Sequence, residues 1–316
     1  MAFNNIISRA DEQALIPEEV AAGVISRVAQ QSAALTMFRR IPVSRAQVRI
    51  PIVSALPTAY FVTGDTGLKQ TTEVNWTNRY LTIEEIAAIV PIPEAVINDA
   101  AFDVWGEIQP LLAEAIGRTF DAAVFFGTNA PASYPVGINA AAAAAGNSLT
   151  EASLAAAGAF FGDLDAAIAL LEADGYEPTG YVAAMSAKGR FRAARSTQGE
   201  RLDENRLTPD LNMVDGAPIA YPMRGLFPTG GVAGTNVRLL AMEREQFIVG
   251  VRQDITYKLL DQAVIQDNTG AIVYNLAQQD MVAMRIVFRA GWQVSNVINF
   301  DQQLEASRYP AAVLRY

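Results

Sequence analysis

The sequence contains no cysteine and no histidine among its 316 residues. Without these side chains it cannot form disulfides, Ser-His-Asp or Cys-His nucleophilic sites, or zinc sites with nitrogen or sulfur ligands. An enzyme based on carboxylates or on a lysine stays possible, with Glu84-Glu85 and Asp203-Glu204 as candidate acid pairs. Adjacent residues of a strand point to opposite faces, however, which disfavours a shared site. We therefore expect no catalytic residues, no cofactor and no metal.

Long apolar runs and an excess of basic residues are also missing. No uninterrupted apolar stretch reaches the roughly 18 residues of a membrane helix, and the start, MAFNNIISRADEQ, lacks a secretory pattern. We expect no membrane partner and a protein made in the cytosol of the producing cell. Lysine and arginine number 24 against 33 acidic residues, a net charge of −9. Proteins that grip nucleic-acid phosphates usually carry a basic face, so the balance argues against that task.

The most prominent pattern predicts one long helix from Asn98 to Gly127. Asn98 or Asp99 is the expected N-cap, and Gly127 is the expected left-handed stop. Pro110 should kink the helix near Gly106, because it cannot donate to that carbonyl group. Such a helix would be about 40 Å long, which suits a flat or elongated protein. Its apolar face would be formed by residues at three- and four-residue steps: Trp105, Ile108, Leu112, Ala115, Ile116, Phe120 and Val124.

An amphipathic helix is predicted over residues 14–38, with Pro17 in its first turn. The basic segment Arg39–Arg45 joins it to the next region. The apolar stripe of this helix must be buried, either on its own domain or on a neighbouring subunit.

Residues 47–90 are predicted to be mostly strand. Val48, Ile50 and Ile52 alternate with polar or small positions, and a second strand follows from Trp76. The polar segment between them makes a long hairpin, which has too little apolar surface to be stable alone. Gly64-x-x-Gly67-x-Lys69 at its tip does not have the spacing of a phosphate-binding loop.

The region 128–249 reads as a compact α/β unit. Six alanines, Ala140–Ala145, mark its start, Ser148 or Thr150 is the expected cap of a helix, and Gly175 is its expected end. The next segment, Tyr181–Met185, reads as a buried strand.

A short basic helix should follow, capped by Ser186. Its arginines, Arg190, Arg192 and Arg195, predict a solvated or inter-subunit salt-bridging face, with nucleic-acid contact as the alternative. Ile219–Tyr221 is a candidate short strand.

From Val237 onwards the pattern is that of strands. Residues 282–289 alternate, Gly291-Trp292 predicts a turn, and Val294–Phe300 predicts the last strand. Neither 47–90 nor 250–300 has a local partner long enough to satisfy its backbone. We therefore expect the two regions to share one sheet beside the long helix.

The order of these segments resembles that of the major capsid proteins of tailed bacteriophages, which have the HK97-like α+β fold. The specific elements are the arm, the hairpin, TIEEIAAIVPIPEAVI, a helix ending in DAAVFFGT, the α/β insertion and D-x-VAMRIVFRAGWQV. The resemblance implies four parts: an N-terminal arm at 1–46, an extended hairpin loop at 47–82, a peripheral domain at 83–127 and 250–316 with the long spine helix, and an axial α/β domain at 128–249.

The resemblance implies a protein that self-assembles, as hexamers and pentamers, into an icosahedral shell around double-stranded DNA that it does not read by sequence. Portal, scaffolding and decoration proteins would be further partners, and the protein would be assembled in the host bacterial cytoplasm into the virion. Candidate inter-subunit contacts are Lys69, Glu73, Trp76, Arg39 and Arg40.

Two further readings stay open within the resemblance. Some shells of this fold carry lysine–asparagine cross-links, for which Lys69 and, near the C-terminus, Asn296, Asn299 and Glu305 are candidates. The alternative function is an encapsulin, a bacterial compartment shell that holds enzyme cargo; the long polar hairpin and the arm favour the phage protein.

Overall fold

The computed structural model describes residues 32–62, 67–100, 103–151, 159–194, 208, 210–222, 225–228 and 236–316. Its helices in these ranges are α1 (Ala33–Met37), α2 (Glu94–Asp99), α3 (Val104–Asp121), α4 (Ile138–Ala144), α5 (Ala159–Ala173) and α6 (Ala187–Ala193). A π-helical turn, Ala122–Phe126, follows α3, and 3-10 turns cover Arg244–Gln246 and Glu305–Ser307. Its strands are β1 (Arg39–Pro42), β2 (Gln47–Ala55), β3 (Asn75–Thr82), β4 (Glu84–Pro93), β5 (Ser148–Thr150), β6 (Gly180–Ala183), β7 (Met213–Val214), β8 (Ala217–Ala220), β9 (Val237–Met242), β10 (Phe247–Leu260), β11 (Val264–Gln266), β12 (Ile272–Asn275), β13 (Met281–Val294) and β14 (Ala311–Arg315).

A four-stranded sheet of order β1-β10-β13-β4 joins segments that are far apart in the sequence. β13 runs antiparallel to both β10 and β4. The predicted sharing of one sheet by the regions 47–90 and 250–300 is therefore confirmed for β4, whereas β2 and β3 pair with each other in a separate two-stranded sheet. β1 adds to β10 in parallel, so Arg39–Pro42 of the predicted arm belongs to this sheet.

β13 runs unbroken through the position where the sequence predicted a turn. Gly291 faces Gly250 across the ladder, and Trp292 is buried in the core. The predicted turn and the predicted last strand, Val294–Phe300, are both wrong. A glycine inside a strand often marks a close approach of another backbone, and that is its role at position 291.

The predicted long helix is divided. α2 ends at Asp99, and Asp103 caps α3 by accepting a hydrogen bond from the Trp105 N–H at 3.1 Å. The predicted caps, Asn98 and Asp99, instead lie in the last turn of α2. α3 continues through Pro110, and Gly127 has φ 68°, which confirms the left-handed stop.

The apolar face of α3 packs on the four-stranded sheet. Leu112, Ile116, Phe120 and Val124 are buried at four-residue steps. The ring of Phe120 meets that of Phe288 on β13 edge to face, with centroids 6.2 Å apart. Each large apolar side chain buried in this way contributes about 1.5–3 kcal/mol.

A second sheet, of order β5-β14-β9-β6-β8-β7, forms the centre of the α/β unit. α5 and α6 meet over it, where the rings of Phe160 and Phe191 lie 5.0 Å apart. The predicted buried strand is β6, and Gly175, with φ +77°, follows α5 as predicted. The predicted caps Ser148 and Thr150 are wrong, because both lie in β5.

The C-terminal strand corrects the division of the chain into parts. The sequence placed residues 250–316 with the peripheral domain, but β14 pairs with β9 and β5 inside the six-stranded sheet. Ala311 to Leu314 are completely buried there. A short run of small and apolar residues carries no signal for which of two sheets it joins, so its pairing is decided by tertiary structure.

The N-terminal helix predicted over 14–38 lies mainly outside the described residues. Its described end is α1, followed by Phe38, whose ring stacks on Phe247 at 5.0 Å and meets Phe125 edge to face at 5.8 Å.

Candidate assembly surfaces

The predicted hairpin projects from the fold as β2 and β3. Their register runs from Gln47 opposite Thr82 to Ala55 opposite Asn75. Beyond it, two side-chain bonds still join the limbs: the Thr58 N–H donates to Thr72 Oγ1 at 2.9 Å, and the Tyr60 hydroxyl donates to the Gln70 carbonyl at 2.7 Å. We call residues 47–82 the extended loop.

The extended loop carries large apolar side chains in water. The exposed fractions are 102% for Phe61, 90% for Leu68 and 68% for Trp76, and Tyr60, Val62 and Tyr80 are exposed as well. Such a set on one element is typical of a protein interaction surface.

The base of the extended loop rests on the four-stranded sheet. Leu81 and Ile83 pack with Val43 and Ile248 in a small apolar cluster separate from the main core. The Gln293 side-chain amide donates to the Tyr80 carbonyl at 2.8 Å. The extended loop is therefore held to the sheet at its base, whereas the apolar side chains along its length are exposed to solvent.

The segment before β1 is anchored by a buried carboxylate that the sequence analysis missed. Asp121 accepts hydrogen bonds from Ser32 Oγ at 2.5 Å and from the N–H groups of Ala33 and Ala34 at 2.9 and 3.1 Å. Burial raises the pKa of Asp121 to about 6, and these hydrogen bonds partly oppose the shift. An acidic residue on the helix face that otherwise reads as apolar was the available signal.

The five predicted contact residues lie on two separate elements. Arg39 and Arg40 are exposed on β1, and Lys69, Glu73 and Trp76 are exposed on the extended loop. Arg40 Nε donates to the Leu35 carbonyl. Within the described part of the chain, Arg39, Arg40, Lys69 and Glu73 form no ion pair, and all four residues are exposed.

For one arginine of α6, the structure corrects the predicted solvated or inter-subunit salt-bridging face. Arg190 is bound inside its own chain: Arg190 Nε donates to Glu151 at 2.6 Å, and Arg238 Nε donates to the other oxygen of the same carboxylate at 3.0 Å. The Glu151 side chain is only 3% exposed. Ser186 precedes α6 but makes no capping bond; its hydroxyl accepts from Arg238 instead. Arg195 lies outside the described residues.

The candidate cross-linking amides are engaged within the chain. Asn296 is buried, donates to the Arg308 carbonyl at 3.2 Å and accepts from the Tyr176 hydroxyl at 2.8 Å. Asn299 donates to the Asp174 carbonyl at 2.6 Å. Glu305 forms an ion pair with Arg79 at the base of the extended loop.

The candidate acid pair on β4 is split between two partners. Glu84 accepts a hydrogen bond from Ser133 at 2.6 Å, whereas Glu85 pairs with Arg289 at 2.5 Å. Asp203 and Glu204 lie outside the described residues.

Among the described residues there is no group of three acidic side chains able to hold a metal ion, and no helix long and apolar enough to cross a membrane.

The family assignment follows from comparison of the whole chain. The model of the phage capsid family matches residues 12–300. The chain belongs to the phage capsid family.

Individual relatives agree with this assignment. The structure titled Microbacterium phage Oxtober96 is 34% identical, with a TM-score of 0.83, and the match covers 98% of this chain and 99% of that one. Mycobacterium phage Bobi gives 27% identity and a TM-score of 0.84, with the same coverage. The major capsid protein of Staphylococcus phage 80alpha is 21% identical over 309 residues, 96% of this chain and 89% of that protein.

The predicted resemblance, the HK97-like α+β fold and the function of a tailed-phage major capsid protein are confirmed. Capsid proteins of this family assemble into multimeric shells and belong to the virion. An encapsulin is not favoured.

A second projecting surface of the capsid protein was missed by the sequence analysis. β11 and β12 form a hairpin on which Val264, Ile272, Val273 and Tyr274 are exposed. Asp267 closes its turn by accepting from Thr269 and Ala271 at 2.8 and 2.9 Å, and these hydrogen bonds lower the Asp267 pKa. The sequence DNTG was the available signal for this turn.

Proposed function

We propose that copies of this chain, arranged as hexamers and pentamers, build the icosahedral head of a tailed phage around its double-stranded DNA. The extended loop carries the proposal, because Phe61, Leu68 and Trp76 stand in water in the single chain and a neighbouring copy would cover them. The subunit is a structural protein without catalytic activity or cofactor, assembled in the host cytoplasm.

The proposed contacts between copies involve residues of the extended loop and of β1. Trp76 supplies apolar area, while Lys69 and Glu73 on the loop and Arg39 and Arg40 on β1 supply charges that are exposed in the single chain. Rim charges of this kind select the partner and its register more than they add affinity. In the proposed shell, the arm and the extended loop of each copy contact the peripheral and axial domains of neighbouring copies.

The excess of acidic over basic residues supports a shell that encloses DNA without binding a specific sequence. A net charge of −9 opposes tight binding to phosphates, which would hinder packaging and release. Portal, scaffolding and decoration proteins would complete the particle.

Electron microscopy of the purified full-length chain, combined with nucleic-acid extraction, tests the proposal. We expect closed shells with five-fold vertices, and, from infected cells, shells that protect double-stranded DNA from nuclease. Discrete soluble oligomers without shells would overturn it, and shells filled with enzyme in place of nucleic acid would support an encapsulin instead.

A further inference from the structure

Arginines are concentrated at one corner of the four-stranded sheet. Residues 20–64 contain five arginines and no acidic residue, although acidic residues outnumber basic ones by 33 to 24 in the whole chain. Four of the five are exposed and lie on β1, on β2 and in the segment between them: Arg39, Arg40, Arg45 and Arg49. We call these four residues the basic corner.

The basic corner keeps a net positive charge in the single chain. Within the part of the chain that the structure describes, none of its arginines forms an ion pair. Asp254 lines a cavity beside β1 together with Arg40 and Arg252, so arginines outnumber this carboxylate there. The four arginines lie around one patch of surface, because their neighbours in the chain share a small apolar cluster: Ile41, Val43, Val48 and Ile50.

Acidic residues are concentrated at the far end of the same sheet, where β4 and β10 end and β13 begins. Residues 86–113 and 259–284, whose described parts form this end, include seven acidic residues and no basic one. Four of the seven lie on α2 and at the start of α3, and the first three are exposed: Glu94, Asp99, Asp103 and Glu107. We call these four residues the acidic corner.

The two corners are too far apart to neutralise each other within one chain. β1 and β4 are the two edge strands of the sheet, three strand spacings or about 14 Å apart. Across the ladder, Pro42 of β1 is level with Glu84 at the start of β4. The acidic corner begins at Glu94, about 30 Å farther along β4. An ion pair requires a separation of about 4 Å.

Opposite charges at opposite corners favour a head-to-tail contact between copies, and contacts of this kind close into rings. We propose that the basic corner of each copy binds the acidic corner of the next copy in a hexamer or pentamer, an inference that rests on the proposed function. Val96 of α2 is 53% exposed between Glu94 and Asp99. It supplies an apolar contact inside a charged rim, the usual arrangement of a protein interface.

The chemistry of the acidic corner favours a second copy over DNA as the partner. DNA could pair with the arginines, but it would leave the acidic corner without a cationic partner. A second copy satisfies both corners at once. Complementary charge of this kind sets the direction and the register of the contact.

Charge reversal at each corner, in the full-length chain, tests the proposal. One variant combines Arg39→Glu, Arg45→Glu and Arg49→Glu, and the other combines Glu94→Arg, Asp99→Arg and Glu107→Arg. Each should lower the yield of shells about tenfold or more at an ionic strength of about 0.05 M, because like charges then meet at every contact. Each should keep its Tm within about 3 °C of wild type, because the side chains lie at the surface.

The variant with all six substitutions gives the sharpest result. It keeps the net charge of −9 but exchanges the signs of the two corners, so opposite charges meet again at every contact. It should recover shells, as measured by sedimentation and electron microscopy. Normal shells from either three-residue variant, or no recovery in a six-residue variant that keeps its Tm, would refute the contact. If the wild-type chain itself formed no shells, the proposed function would fall and this inference with it.

A control separates the contact from general effects of charge. Lys258 and Arg285 face each other across the ladder between the two corners, and both are exposed. Lys258→Glu combined with Arg285→Glu should assemble like wild type, and a loss equal to that of the basic-corner variant would refute the specific contact. Shells of the basic-corner variant that form normally in infected cells but lack DNA would assign these arginines to DNA and overturn the proposal.

Discussion

Gly291 lies directly against the carbonyl oxygen of Thr82, so that a Cβ atom at position 291 would overlap that oxygen. Thr82 ends the extended loop, and Gly291 is fixed in the ladder opposite Gly250. The two residues therefore set the point at which the extended loop crosses the four-stranded sheet.

Gly291→Ala should lower the free energy of unfolding by about 2–3 kcal/mol, because the clash is with backbone and not with a flexible side chain. Chemical denaturation of the full-length chain measures the change. Gly189→Ala is the matched control: Gly189 lies in α6 with open space around it, and alanine should stabilise a helix there by up to about 1 kcal/mol. Equal effects of the two substitutions would contradict the close contact at Gly291.

Asp121 should give the chain a distinctive pH dependence. Burial raises its pKa from 3.8 to about 6, so between these values the folded chain holds a proton that the unfolded chain has lost. The contribution of Asp121 to stability is therefore largest below about pH 4 and declines as the pH rises to about 6, by an amount on the order of 2 kcal/mol.

Asp121→Asn tests this assignment, because asparagine does not titrate. The difference in unfolding free energy between wild type and variant, measured from pH 4 to pH 7, should change with pH and level off above about pH 6. A difference that stays constant over this range would show that Asp121 titrates normally. Comparing the two proteins cancels other carboxyl groups, including Asp267, whose lowered pKa acts in the opposite direction.

The sequence predicted the elements whose periodicity is long and regular. The alternation of 282–289 and the four-residue steps of Leu112, Ile116 and Phe120 both reflect burial on one face, so they are readable without neighbours. The pairing of β4 with β13 followed from the need of each backbone for a partner.

The predictions that were wrong, and the features that were not predicted, have physical reasons of two kinds. The sequence predicts a turn at Gly291 that the structure does not have, because a glycine needed for close approach and a glycine needed for a turn look alike in the sequence. The pairing of β14 and the function of Asp121 depend on residues distant in the chain, Val237–Met242 and Ser32. No local pattern records such partners.

Glu151 holds two arginines of the α/β unit, and its loss should be costly. Glu151→Gln would leave Arg190 and Arg238 without their shared carboxylate in a buried site, lowering the unfolding free energy by about 3–5 kcal/mol. Glu85→Gln, which breaks the exposed pair with Arg289, should cost less than about 1 kcal/mol. Comparable losses from thermal or chemical unfolding of the two variants would contradict the burial of Glu151.

Lys69 should remain unlinked to the C-terminal amides. Linking a lysine to Asn296 or Asn299 would first require breaking the hydrogen bonds that hold those amides to Tyr176, Arg308 and Asp174. Denaturing gels of assembled shells should therefore show one band at the mass of the monomer. A ladder of bands that disappears in Lys69→Arg would establish the cross-link and show that the C-terminal segment rearranges during assembly.

Phe61 should matter to assembly and not to the stability of the subunit. Its side chain is fully exposed, so Phe61→Ser has no packing to lose and should change the unfolding free energy by no more than about 0.5 kcal/mol. If a neighbouring copy covers the ring in the shell, the same change should lower the yield of shells strongly, as measured by sedimentation and electron microscopy. Phe61→Tyr keeps most of the apolar ring and should assemble like wild type. Leu81 lies at the buried base of the same loop, so Leu81→Ser should lower the unfolding free energy of the subunit itself, in contrast to Phe61→Ser. Normal assembly of Phe61→Ser would show that the contacts between copies do not depend on the Phe61 ring.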